Sequence, residues 1–207
     1  EGVTTIPVHA FRGMTSLEEI ILPESLTGIG SYAFEGCTNL KKINLMQNLT
    51  TIGDHAFTNC KALEEITLPE SITSISNAAF ENCAALKSIT IPSGVTTIKE
   101  YTFAGCTSLA EVKLPDGLKK IDVYAFQNCK ALTYIDLPDS ITDICRNAFA
   151  GCTALAEIGY PAGWVTANGY GGYSTPFGGC TALKTITVDE GVTTIPVHAF
   201  RGMTSLE

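Results

Sequence analysis

Apolar residues return along this chain at fixed intervals, with polar residues between them. The nine Phe are Phe11, Phe34, Phe57, Phe80, Phe103, Phe126, Phe149, Phe177 and Phe200. They step by 23 residues, except for one step of 28 from Phe149 to Phe177. Three residues after each Phe stands a sulfur residue, running from Met14 through Cys37 and its equivalents to Met203. Six residues after it comes an unbroken column of Leu, from Leu17 to Leu206. Nine after it stands Ile or Val, and eleven after it Leu, Ile, Val or, once, Tyr160. A fixed period of this length marks a solenoid, in which each unit buries its apolar face only against its neighbours.

The stretch Leu-x-x-Ile-x-Leu-Pro ends in strict alternation and predicts a short half-buried strand. Pro then stops the ladder, because it has no N–H to donate; Pro23, Pro69, Pro92, Pro115, Pro138 and Pro161 all occupy that place. A second apolar pair follows, as in Leu26-Thr27-Gly28-Ile29, and a turn leads to the next Ala-Phe. That turn is too short for an α-helix and predicts a single 3₁₀-like turn. One strand per repeat, always in the same sense, predicts a parallel sheet with neighbours about 4.8 Å apart and a stack on the order of 35–40 Å long.

The repeat "LxxIxLPxxLTxIGxxAFxxCxxL" resembles that of the BspA-like (treponemal-type) leucine-rich repeat surface proteins, and it does so over essentially all of residues 1–207. The resemblance implies one right-handed, curved, mainly β leucine-rich-repeat solenoid of about eight repeats. It implies a parallel sheet on the concave face and short strands with 3₁₀ turns on the other side. It also implies a cell-surface or secreted location and adhesion to a protein or glycan ligand.

Composition narrows the remaining choices. A net charge of −8 at pH 7 argues against nucleic acid, whose phosphates demand a basic surface, and against anionic membrane. No apolar run approaches the length of a membrane span, so no membrane insertion is expected. The chain opens inside a pattern already under way, which reads as an excised piece or a processed product.

Eight Cys raise the question of disulfides. Seven share one slot, and at both ends Met takes it. Met replaces a small buried hydrophobe but not half of a disulfide, so these thiols are expected to be free and buried. Cys145 stands apart, in a slot that elsewhere holds Gly30, Gly53, Ser76, Lys99, Asp122, Asn168 and Pro196. A position that accepts Lys and Asp is normally wet, so Cys145 is expected to be half-exposed, either without a role or as a reactive thiol. His9, His55 and His198 lie two residues before a Phe, where Tyr32, Tyr101 and Tyr124 also stand. They predict an amphipathic stripe with packed rings and wet tips. A zinc site needs clustered ligands, and a nucleophile needs a base and an orienting group. The repeat supplies neither, so no metal, no cofactor and no enzymatic activity are expected. "GYGGY" lacks the Lys-Ser/Thr of a phosphate loop. Asn48-Leu49-Thr50 is a single glycosylation sequon.

Two places offer a binding site. One is the outward face of the strands, which carries Glu111, Lys113, Tyr134 and Asp136 among alternating charges such as Glu19, Lys42 and Glu65. Those charges serve either sheet pairing or a docking surface. The other is the aberrant repeat at about 150–177, with five extra residues, the only Trp (Trp164), Tyr170 and Tyr173. Tyr and Trp are over-represented at binding hot spots, yet Trp164 falls in the slot of Leu26 and fits the core equally well.

Residues 190–207 repeat residues 1–18 without a change. This reads as a window on a longer natural array or as an engineered unit meant to continue itself. The expected function is a non-enzymatic binding scaffold from an adhesin. The alternative is a structural spacer or self-assembling module with no ligand, associating head to tail.

Overall fold

The computed structural model describes residues 2–165, 175–188 and 192–206. They form a parallel β-solenoid, with no helix among the described residues. Most rungs carry two very short strands. A first ladder holds Glu19–Ile20, Lys42–Ile43, Ser88–Thr90, Glu111–Lys113, Tyr134–Ile135 and Glu157–Ile158. A second holds Thr5–Ile6, Gly28–Ile29, Thr51–Ile52, Ser74–Ile75, Thr97–Ile98, Lys120–Ile121 and Asp143–Ile144. Every pairing between these strands is parallel, with partners such as Glu19↔Lys42, Tyr134↔Glu157 and Thr51↔Ser74. The second apolar pair of the repeat is therefore a strand in its own right. It is the more continuous of the two, forming sheets of four and three strands where the first ladder makes only pairs.

Side-chain period explains the sidedness. In Glu111–Lys113 the burial pattern is exposed, buried, exposed, as the two-residue alternation of a strand requires. Val112 and its equivalents point inward, while Glu111 and Lys113 point out. The Pro after each strand lends its carbonyl to the next tight turn, as in Leu26 N→Pro23 O, 3.1 Å, and Trp164 N→Pro161 O, 3.0 Å.

The core is a column of Phe rings. Neighbouring rings from Phe11 to Phe177 stack nearly parallel, with centroids 5.1 to 5.5 Å apart. From Phe34 to Phe177 each ring is fully buried. The sulfur column has a polar task as well. Cys37 Sγ donates to Phe11 O at 3.1 Å, Cys60 to Phe34 O, Cys106 to Phe80 O and Cys180 to Phe149 O at 3.2 Å each. Each carbonyl also accepts from the backbone of its own turn, as in Cys60 N→Phe57 O, 3.1 Å. The thiol thus fills the small space left beside the ring and ties one rung to the next.

The turn around Phe is not the expected 3₁₀ turn. Two residues in it take left-handed backbone, two before and two after the ring: Tyr32 (φ 59°) and Gly36 (φ 73°), Tyr124 (φ 59°) and Asn128 (φ 60°). A right-handed turn cannot absorb these reversals. The chain instead makes a run of linked tight turns, with Glu35 N→Tyr32 O at 3.2 Å, Cys37 N→Phe34 O at 3.1 Å and Leu40 N→Cys37 O at 3.0 Å. The later left-handed slot holds only Gly or Asn throughout, from Gly13 to Gly202, because these residues enter that region at least cost.

Rungs are bonded in both directions. Tyr32, Phe34 and Gly36 donate forward, to Asp54, Ala56 and Thr58 at 2.8 Å each, while Thr27 and Gly30 donate backward to Thr4 (2.7 Å) and Ile6 (2.8 Å). Register places the extra residues of the long repeat. Val165 N still reaches back 23 positions to Thr142 O, whereas Phe149 N reaches forward 27 to Pro176 O where Phe126 N reaches forward 22 to Ala148 O. The five extra residues therefore enter between Val165 and Pro176.

Candidate binding face

The outward positions of the first ladder form a continuous polar face. Around the strands Glu111–Lys113 and Tyr134–Ile135 it deepens into a hollow of about 780 Å³ lined by Glu111, Lys113, Asp116, Tyr134 and Asp136. A second hollow of about 480 Å³ adjoins it through Asp116 and Asp136 and ends at Gly159 and Tyr160. Tyr134 stands in the middle with 47% of its surface open. Its ring lies in register with Glu157 on the next strand. Gly159 leaves room beside Asp136, whose Oδ1 is the first atom a Cβ there would meet, at 3.7 Å.

Four residues read from the sequence as candidates, Glu111, Lys113, Tyr134 and Asp136, thus meet in one place. Lys113 Nζ lies 3.3 Å from Glu111 Oε1. The Tyr134 hydroxyl holds its proton more tightly than usual, through desolvation first and then the charges of Asp136 and Glu157. Asp116 belongs to the same hollow and was missed by sequence reading. Its signal is its place directly after the strand-ending Pro115, where Asp139 also stands. Asp139 does structural work there, accepting from Ala162 N at 3.0 Å.

The charge alternation expected at Glu19, Lys42 and Glu65 lies one position earlier as ion pairs. Lys41 meets Glu18 at 2.8 Å and Lys87 meets Glu64 at 2.6 Å. Each partner favours the other's charged state: hydrogen bonding and then charge attraction lower Glu18 and Glu64 and raise Lys41 and Lys87.

Two other expectations are corrected. Trp164 is not a surface anchor. It is fully buried in the leucine slot, edge-on to Phe177 at 6.2 Å and Phe200 at 5.8 Å, with Tyr160 at 5.3 Å. Cys145 is not a half-exposed thiol. It is 3% exposed, and burial, followed by the charges of Asp143 and Asp122, pushes its thiol up to about 12. It stays protonated at neutral pH, which removes the thiolate that reactivity requires. Tyr170 and Tyr173 lie outside the described residues.

All eight Cys are free and buried. The seven in the repeat slot have raised thiol pKa values, with burial among the causes of each. The aromatic stripe before each Phe packs ring on ring, His9 to Tyr32 at 4.9 Å, Tyr32 to His55 at 4.8 Å and Tyr101 to Tyr124 at 4.9 Å. Arg12 covers Tyr32 and Arg146 covers Tyr124, at 5.7 and 5.9 Å. Among the described residues no three His, Cys, Asp or Glu gather as metal ligands, and no helix is long and apolar enough to cross a membrane.

The family described as the BspA type leucine-rich repeat region matches residues 1–106 and 73–207. Solved structures agree. A leucine-rich repeat protein from Bacteroides ovatus is 32% identical with a TM-score of 0.81, over 94% of this chain and 55% of that one. The T. pallidum leucine-rich repeat protein is 29% identical with a TM-score of 0.73, over 86% of this chain and 82% of that one. A leucine-rich repeat protein from Eubacterium ventriosum is 36% identical with a TM-score of 0.55, over 70% of this chain and 45% of that one. This chain therefore spans about half the length of the Bacteroides ovatus protein. No curated protein matches the sequence.

Proposed function

The chain belongs to the BspA-type leucine-rich repeat family, and from that membership we propose that it is a non-enzymatic binding scaffold of a cell-surface or secreted adhesin, docking a protein or glycan on the face of its first ladder. One observation carries the reading. The repeat explains every buried column, yet it does not require an aromatic ring at position 134, where Glu, Lys, Ser and Thr serve in other rungs. Tyr134 nevertheless stands 47% open at the centre of the 780 Å³ hollow. An exposed ring on a rigid scaffold is the kind of residue that dominates binding energy.

The test immobilises the chain and its Tyr134→Ala variant against a panel of purified matrix proteins and glycans. The expected result is at least one ligand captured by the parent and lost by the variant at unchanged melting temperature. No capture by the parent, or capture indifferent to Tyr134, overturns the reading.

A second reading, a spacer that self-associates head to tail, is favoured by a separate observation. The duplicated segments share the same turn: His9 and His198 have φ of 62° and 67°, Gly13 and Gly202 share 72°, and Ala10 N→Pro7 O matches Ala199 N→Pro196 O. Both segments also expose apolar side chains, Val8 at one end and Val197 at the other. Exposed apolar side chains of this kind favour association, and a head-to-tail contact runs on as a filament unless it closes into a ring.

A further inference from the structure

We infer that the Tyr134 hollow is built for a cationic segment of a partner protein, an extended stretch bearing Arg or Lys, rather than for a sugar. The inference rests on the binding reading above and adds the chemistry of the ligand.

Charge is distributed unevenly along the first-ladder face. In its early rungs acids and bases alternate, and a hollow of about 230 Å³ there is lined by both Lys42 and Glu65. From residue 110 onward the described part of the face carries Glu111, Asp116, Asp136 and Glu157 outside the turn-capping Asp139, against Lys113 and, at its far end, Lys184. Lys113 is already engaged with Glu111 at 3.3 Å. Neither Asp116 nor Asp136 forms an ion pair with any of the cations named above, and Asp136 instead accepts from the Tyr134 hydroxyl. Asp116, Asp136 and Glu157 surround an open aromatic ring.

These features converge on one chemistry. A guanidinium or ammonium group gains twice here, from the excess of carboxylates and from the face of the Tyr134 ring. Both hollows adjoin, so the acidic track is long enough for several residues of extended chain, and the small Gly159 keeps its far end open. A neutral sugar can stack on the ring but leaves the excess of carboxylates uncompensated. An acidic glycan is repelled outright. The rest of the molecule does not offer the same combination, because the other aromatic stripe, His9-Tyr32-His55, spends its ring faces on internal stacking.

The probe is a synthetic ten-residue Arg-Gly repeat peptide, titrated into the intact chain by calorimetry at low and high salt. A charge-matched Glu-Gly peptide and a neutral glucose hexasaccharide serve as comparisons. Two variants of equal charge are made: Asp116→Asn/Asp136→Asn/Glu157→Gln on the hollow, and Glu19→Gln/Glu24→Gln/Glu100→Gln elsewhere on the surface. The expected result is binding of the Arg peptide alone, weakened by salt. Loss of three exposed charge pairs should weaken it roughly tenfold in the hollow variant and leave the control variant within about twofold. Tyr134→Ala should weaken it further while both variants melt like the parent. Equal weakening by the control variant would mean attraction to the net charge only, and overturns the inference. Binding of the hexasaccharide in a Tyr134-dependent way, without the peptide, overturns the cationic ligand but keeps the binding face. No binding of any probe, together with no capture in the panel above, removes both.

Discussion

At the scale of single residues the Phe column and the thiol column decide stability. Phe103 is fully buried between Phe80 and Phe126, at 5.5 and 5.4 Å. Phe103→Ala should leave a cavity between two rungs and cost about 3–5 kcal/mol, read as a lower midpoint in urea unfolding. The thiols give a second prediction. All eight are buried, so native protein at pH 8 should react slowly with a thiol reagent at every Cys, Cys145 included, and release all of them on denaturation. Rapid native labelling of Cys145 would contradict its placement. That placement was misread from the sequence for a physical reason. Lys99 and Asp122 occupy the same slot half-buried, with long or charged heads that reach water, whereas a thiol stops short beneath its neighbours. Tolerance of charge in a column says where the tip ends, not where Cβ lies.

At the scale of the element, the period of Phe, Leu and Ile was enough to place the strands of the first ladder, while the second ladder showed in the sequence only as an apolar pair. The turn was harder to read. Its left-handed residues fall in two columns, and only one, alternating between Gly and Asn, carries a compositional sign; the other admits His, Tyr, Ala and Asn. Gly105 shows the cost of breaking the sign. It has φ 75°, and a Cβ there would run into the Asn82 side chain. Gly105→Ala should therefore destabilise by roughly 1–2 kcal/mol, while Asn82→Gly stays within about 0.5 kcal/mol. Thermal melting of both variants checks the pair. The candidate face was legible as a set of outward positions but not as a hollow, since depth depends on how Asp116 and Gly159 from neighbouring rungs meet. Trp164 was visible as the only indole, and its alignment with Leu26 was the better guide to its place.

At the scale of the whole molecule, the duplicated segments make a prediction about assembly. If residues 190–207 of one copy dock where residues 1–18 of another lie, light scattering of the 207-residue chain should show mass rising with concentration. Removing residues 190–207 should suppress the rise. A strict monomer at millimolar concentration would leave the duplication without this role. The net charge of −8 opposes such stacking at low salt and is screened within about 10 Å at 0.1 M ionic strength, so association should strengthen as salt is added. Binding of the cationic peptide should respond to salt in the opposite sense, which allows the two activities to be separated in one instrument.

The two-way bonding between rungs has an electrical consequence. In an α-helix all peptide dipoles point the same way and build partial charges at the two ends. Here the Phe turn sends its N–H groups forward, from Tyr32, Phe34 and Gly36, while Thr27, Gly30 and Lys41 send theirs backward. The axial dipoles of a rung oppose one another, as strand dipoles do in sheets. A stack of such rungs therefore builds a smaller field along its axis than an α-helix of the same length. Its potential is set mainly by side chains, rung by rung, so that an acidic stretch at residues 111–157 faces its surroundings with little contribution from the backbone that carries it.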